Sequence, residues 1–133
     1  MDLRKALEKE RNQTLQREAE QIVSKLPADQ RTLVQVIDGA SADQLQSVAN
    51  LLKAKGFNGI AILFGTRAEL VHLLVTVDPS LTGAFQAGKI VQELTGILGG
   101  KGGGRPDMAR GVGKDQTKLD LAKQRALQLT AGL

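Results

Sequence analysis

Seven glycines and three cations share a stretch of fifteen residues, GGKGGGRPDMARGVG at Gly99–Gly113. Glycine permits positive φ and leaves the backbone N–H groups uncovered, and successive N–H groups in such turns form a concave site for an anion. Lys101 adds a point charge, and the planar guanidinium of Arg105 can grip a phosphate in a bidentate way, with Arg110 close in sequence. Residue types and spacing therefore predict a phosphate-binding loop.

The standard nucleotide-binding motifs do not fit this stretch. A P-loop follows a strand and reads G-x-x-x-x-G-K-[ST], whereas here Gly99 and Gly104 have the spacing but Arg105-Pro106 follows and a predicted helix precedes. The dinucleotide motif G-x-G-x-x-G has no match in the segment. The alternative on local physics alone is a flexible linker between two helices, although linkers are usually serine-rich and lack an internal Arg-Pro-Asp-Met run.

The excess positive charge is confined to the last quarter of the chain. Residues 1–98 carry 11 basic and 11 acidic side chains, whereas residues 99–133 carry seven basic and three acidic ones, which accounts for the net charge of +4. A localised surplus indicates an anionic partner, and the alternative is a solvated, mildly basic helix face. Lys114 and Lys118 flank the glycines and join the candidate phosphate contacts.

Composition excludes several kinds of chemistry. The sequence has no cysteine and a single histidine, His72, which excludes thiolate zinc sites, cysteine nucleophiles and multi-histidine metal sites. His72 falls in an apolar segment, where we expect a neighbour or solvent to satisfy it. The only aromatic residues, Phe57, Phe64 and Phe85, lie in or beside apolar segments, so base stacking is not expected to carry binding. We predict no catalytic residue, no metal, no cofactor and no small-molecule substrate.

The same composition also indicates the cellular compartment of the protein. No apolar run reaches the ~18 residues that a membrane span needs, and the N-terminal residues MDLRKALEKER are too charged for a signal peptide. We therefore expect a cytoplasmic protein that does not engage a membrane.

The flanking elements must position these cations. Apolar periodicity predicts a long amphipathic helix over residues 2–25, ended by Pro27, which is either a coiled-coil-like arm or a helix packed on the domain. Further periodicity predicts strands at 32–37, 60–64 and 70–77, a turn at Gly65–Arg67, and helices at 42–55 with Ser41 as N-cap, at 82–98 and at 115–129. The expected fold class is α+β, with a long N-terminal helix followed by a small mixed sheet packed against helices. Residues 1–27 would form the arm and 28–133 the globular domain.

The glycine stretch and the order of the predicted helices and strands together resemble the C-terminal domain of alanyl-tRNA synthetases, a branch of the DHH-associated domain family. The similarity covers nearly the whole chain and includes Leu81-Thr82-Gly83 and Ala87-Gly88-Lys89-Ile90-Val91. Other DHH-associated domains usually carry a histidine after the glycines. Arg105 stands in that place here, which favours the synthetase branch.

The resemblance implies a non-catalytic, tRNA-binding domain that helps the aminoacylation and editing centres act on one alanine-specific tRNA. The N-terminal helix would link it to the editing part, and the chain would be an excised domain without ligase activity, starting at an added or coincidental Met1. One alternative is a dimerisation or protein-interaction module that forms a homodimer through the N-terminal helix. Another is a domain that holds single-stranded nucleic acid for a phosphoesterase relative.

The predicted RNA contacts combine the matched motif with its charged flanks. Arg110 stands where relatives often hold a neutral polar residue, a departure that could strengthen phosphate attraction or be unrelated to it. The full set is Lys101, Gly102, Gly103, Gly104, Arg105, Arg110, Lys114 and Lys118.

Overall fold

The computed structural model describes residues 32–54, 59–67 and 69–130, together with positions 17 and 21. Five strands form one sheet in the order β1-β2-β3-β5-β4, with bounds β1 Thr32–Asp38, β2 Ile60–Arg67, β3 Leu70–Val77, β4 Lys101–Gly104 and β5 Met108–Gly113. The α-helices of the described part are α1 Ala42–Ala54, α2 Ala87–Ile97 and α3 Leu119–Leu129. β1 and β2 are parallel, and every other strand pair is antiparallel. None of the described helices is long and apolar enough to cross a membrane.

The sheet is buried on both faces around β2 and β3. Because successive side chains of a strand point to opposite faces, Ile62 and Phe64 face α2 and α3, whereas Ala61 and Leu63 face α1. This explains the nearly continuous apolar run of β2, which is typical of a strand covered on both sides. Helix α1 packs on β2 and β3 and reaches Met108 and Arg110 of β5, whereas Lys101 of β4 and Val112 of β5 are exposed.

The α+β class fits the structure, but the expected architecture is wrong in its leading element. The first helix that the structure describes is the 13-residue α1, which follows β1, and not a long N-terminal arm. Residues 2–25, on which the arm was predicted, lie outside the described residues except for positions 17 and 21. The division of the chain into 1–27 and 28–133 stays a prediction.

Local boundaries also differ from the predicted ones. The predicted turn at Gly65–Arg67 belongs to β2, and the chain reverses beside Glu69, which has a φ of 66°. Gly65 is present because the β1–α1 connection crosses the strand there, so a β-carbon would lie 2.4 Å from the Ala40 carbonyl oxygen. The helix predicted from residue 82 begins at Ala87, since a 3₁₀ turn at Pro79–Leu81 comes first.

The predicted N-cap of α1 is confirmed. The Ser41 amide donates to the Gln44 side-chain oxygen at 2.8 Å, and the Gln44 amide donates back to the Ser41 hydroxyl at 3.4 Å. This reciprocal capping box satisfies two amides at the start of the helix and fixes where α1 begins over the sheet.

Candidate nucleic-acid interface

The glycine stretch forms a β-hairpin, so the prediction of a loop is wrong. Gly99, with a φ of 71°, ends α2, and the Gly100 amide donates to the Thr95 carbonyl at 2.8 Å in the manner of a Schellman motif. The chain then enters β4, turns at residues 106–107 and returns as β5, which pairs with both β4 and β3. Ladder hydrogen bonds and the turn bond from the Arg105 amide to the Met108 carbonyl (2.8 Å) engage much of this backbone.

Three of the seven glycines are explained by the close approach of α2 and its C-cap residue Leu98, whereas a β-carbon on Gly100 or Gly104 would meet the backbone of the hairpin itself. A β-carbon on Gly102 would lie 2.5 Å from Val91 Cγ1, one on Gly111 would lie 2.4 Å from Thr95 Cγ2, and one on Gly113 would lie 2.3 Å from Leu98 Cβ. These glycines form a side-chain-free surface against which the helix packs. The concave anion site expected in a loop therefore does not describe this segment, and RNA contact by Gly102–Gly104 stays a prediction.

The hairpin cations lie on the other face. Because Gly102 and Gly111 face α2, their strand neighbours Lys101 and Arg110 project to the open face beyond the edge of α1. Lys101, Arg110 and Lys114 are exposed, and Val112 between them is 36% exposed. Lys101, Val112 and Lys114 also line an open depression of about 410 Å³ with Gly99 and Gly100. We call Lys101, Arg110, Val112 and Lys114 the basic face.

Arg110 is tied to α1. Its Nη2 donates to Gln46 Oε1 at 2.6 Å, and its Nη1 lies 3.9 Å from Asp43 Oδ1. The Gln46 Nε2 donates in turn to Asn50 Oδ1 at 3.1 Å. Sequence reasoning missed Gln46 and Asp43, because they lie 64 and 67 positions before Arg110 and only the packing of α1 on the sheet brings them near it.

Two predicted contacts lie away from the basic face. Arg105 is exposed at the turn end of the hairpin, roughly 14 Å from Lys101 at about 3.4 Å per strand residue. Lys118 is exposed in the 3₁₀ turn Gln116–Lys118, whose Gln116 side chain donates to the Leu70 carbonyl at 3.1 Å beside the β2–β3 turn. The structure thus places Lys101, Arg110 and Lys114 on one side of the hairpin, with Arg105 past the strand ends at the turn and Lys118 past the end of β5.

His72 lies beside the basic face, paired in register with Val112. It is half-buried, and its Nδ1 is buried without a hydrogen-bond partner among the described residues. Within the described residues, His72 Nδ1 therefore lacks the hydrogen-bonding neighbour that the sequence analysis expected.

A mixed five-stranded sheet, helices on both faces and an exposed basic hairpin define a small α+β domain with a polar, open sheet surface. The DHHA1 domain model matches residues 29–132, and the chain belongs to this family. Among curated relatives, the alanine–tRNA ligase of Carboxydothermus hydrogenoformans is 39% identical over 94 residues, which are 71% of this chain and 11% of that protein. The ligase of Dehalococcoides mccartyi is 36% identical over 125 residues, or 92% of this chain and 14% of that protein. The chain thus spans a small part of these relatives.

Solved structures with the same fold include domains of two proteins. The C-Ala domain of Aquifex aeolicus alanyl-tRNA synthetase superposes with a TM-score of 0.68 at 21% identity, covering 76% of this chain and 91% of that one. RecJ of Thermus thermophilus, solved in complex with Mg²⁺, gives 0.65 at 16% identity, covering 92% of this chain and 18% of that one. Together with the family match and the ligase relatives, this confirms the resemblance to the C-terminal domain of alanyl-tRNA synthetases.

Proposed function

We propose that this domain is a tRNA-binding module of an alanine–tRNA ligase and that the basic face contacts the phosphate backbone of the tRNA. The family match, the ligase relatives and the C-Ala fold support the assignment. By the same relation, the parent protein is an alanine–tRNA ligase, the tRNA is alanine-specific, and the module helps two reaction centres act on one tRNA. The chain itself carries no reaction step in this proposal.

The observation that carries the proposal is the placement of Lys101 and Arg110. They project from neighbouring strands on one open face, at register positions diagonal to each other, which places such residues about 7–8 Å apart. Gly103 lies opposite Arg110 in the ladder and has no side chain of its own, and the neighbouring side-chain atom is Gln92 Nε2, 3.7 Å from its β-carbon position. Lys101 supplies a mobile point charge, whereas Arg110 supplies a planar fork suited to phosphate oxygens.

The remaining cations extend this surface in two directions. Lys114 lies at the rim of the depression that Lys101 also lines. Arg105 lies at the turn end of the hairpin and Lys118 beside the β2–β3 turn, where both are exposed. An extended array of single cations, with no aromatic side chain among the described residues of that surface, fits recognition of a backbone more closely than recognition of bases.

The test is the salt dependence of tRNA binding, measured by fluorescence anisotropy with a folded alanine-accepting tRNA transcript. We expect the double variant Lys101→Ala/Arg110→Ala to bind more weakly and to lower the slope of log K against log salt by about two, one for each lost phosphate contact. Lys53→Ala/Lys123→Ala is the matched control, because it removes the same charge from α1 and α3. Equal affinities and slopes for the two double variants would defeat the proposal.

Competition distinguishes the alternatives. If short unstructured RNA displaces the tRNA transcript at the same nucleotide concentration, the module holds single strands as the phosphoesterase alternative predicts. If the chain sediments as a dimer and ignores both RNAs, it is an interaction module. Arg105→Ala and Lys118→Ala, measured singly, then report whether the bound RNA reaches beyond the basic face.

A further inference from the structure

Gln46 forms a hydrogen bond with Arg110 that a contribution to folding stability does not explain. It accepts a hydrogen bond from Arg110 at 2.6 Å at a surface where the arginine side chain is 47% exposed. Exposed polar pairs of this kind contribute little to folding, because water competes for both groups and two long side chains lose rotamer freedom. The contact does, however, hold the guanidinium in one place on the open face.

The chemistry of the acceptor matters for what Arg110 can still do. Gln46 is neutral, so it orients the guanidinium without cancelling its charge, and it engages one of the five N–H donors of arginine. The Asn50 side chain accepts from Gln46 Nε2 at 3.1 Å, which turns the Gln46 oxygen toward Arg110. Asp43, at 3.9 Å and 97% exposed, is too distant and too solvated to neutralise the arginine fully.

We propose that Gln46 is a positioning residue for Arg110: it pre-orients the guanidinium on the basic face for a phosphate group while leaving its charge and most of its donors free. This inference rests on the proposed function, since it supposes that Arg110 meets RNA. Ordering a long side chain before binding removes an entropy cost that binding would otherwise carry, which raises affinity without adding a contact.

Three variants of the full chain test the role against the same folded tRNA transcript. Gln46→Ala should weaken binding about three- to tenfold, as expected for one unrestrained long side chain, and should leave the salt slope unchanged. Gln46→Glu keeps the acceptor but adds a carboxylate, so the slope should fall by about one as Arg110 is neutralised. In an Arg110→Ala background, Gln46→Ala should have no further effect.

The matched control is Gln128→Ala. Gln128 also accepts from an arginine, the half-buried Arg125, whose Nη1 donates at 3.2 Å, but on α3, away from the basic face. The Gln128→Ala variant should bind tRNA with the affinity of the unsubstituted chain. Thermal melting of every variant checks that the fold is kept. An undiminished affinity for Gln46→Ala, or an equal loss in the Arg110→Ala background, overturns the positioning role. If Arg110→Ala alone leaves the tRNA affinity and the salt slope unchanged, the positioning role of Gln46 fails as well. The proposed function fails only if Lys101→Ala also leaves both quantities unchanged.

Discussion

Gly111→Ala tests whether the glycines of the hairpin exist for helix packing. The new β-carbon would lie 2.4 Å from Thr95 Cγ2 and 2.8 Å from Val91 Cγ1, both on α2. Each neighbour is a β-branched residue of a helix, whose χ1 is stiff, so the side chains cannot swing aside. Carbon–carbon contact needs about 3.5–4.0 Å, and α2 must therefore recede from β5 by roughly 1 Å.

The expected magnitude follows from two opposing terms. Overpacking a core contact costs about 1–3 kcal/mol. Alanine in place of glycine within a strand offsets about 0.5–1 kcal/mol of this through the smaller entropy of the unfolded chain. At the midpoints of these ranges the net loss in free energy of unfolding is about 1.3 kcal/mol, within extremes of about 0–2.5 kcal/mol. The midpoint corresponds to a fall in Tm of roughly 3–8 °C for a domain of this size.

Urea unfolding and thermal melting measure the change, and Gly103→Ala is the control. Gly103 lies in the same hairpin, but the nearest atom to its β-carbon would be Gln92 Nε2 at 3.7 Å, which is ordinary contact with a flexible side chain. It should be neutral or slightly stabilising. If Gly111→Ala matched Gly103→Ala in stability, close packing would not be the reason for the glycines, and the anion-binding role would have to be considered again.

Two further substitutions probe the helix and the core. Gly96→Ala should raise the free energy of unfolding by about 0.8–1.0 kcal/mol, because Gly96 lies inside α2 and nothing lies within 4 Å of its β-carbon position among the described residues. A melting temperature that falls instead would show that a neighbour fills that space. Phe64→Ala should destabilise by about 3–5 kcal/mol, since Phe64 is fully buried in β2 under α2 and α3. A urea midpoint within the error of the parent chain would contradict the placement of that core.

The sequence by itself predicted several elements. Strands starting at Thr32, Ile60 and Leu70 and the helix beginning after Ser41 follow from apolar periodicity and from capping chemistry, which act over a few residues. The family resemblance also came from the sequence, because the glycine motif is long and unusual. What the sequence could not show was that the same motif forms two strands, since a run of glycines has no strand propensity and its partners are β3 and α2.

The face that each cation occupies was decided by tertiary structure alone. Strand pairing puts Lys101 and Arg110 on one side of the hairpin and Gly102 and Gly111 against α2 on the other. The packing of α1 then brings Gln46 to Arg110 across 64 positions of sequence. Short-range preferences fix where helices and strands begin, but which side chains meet is set by the register of the sheet and the burial of its two faces.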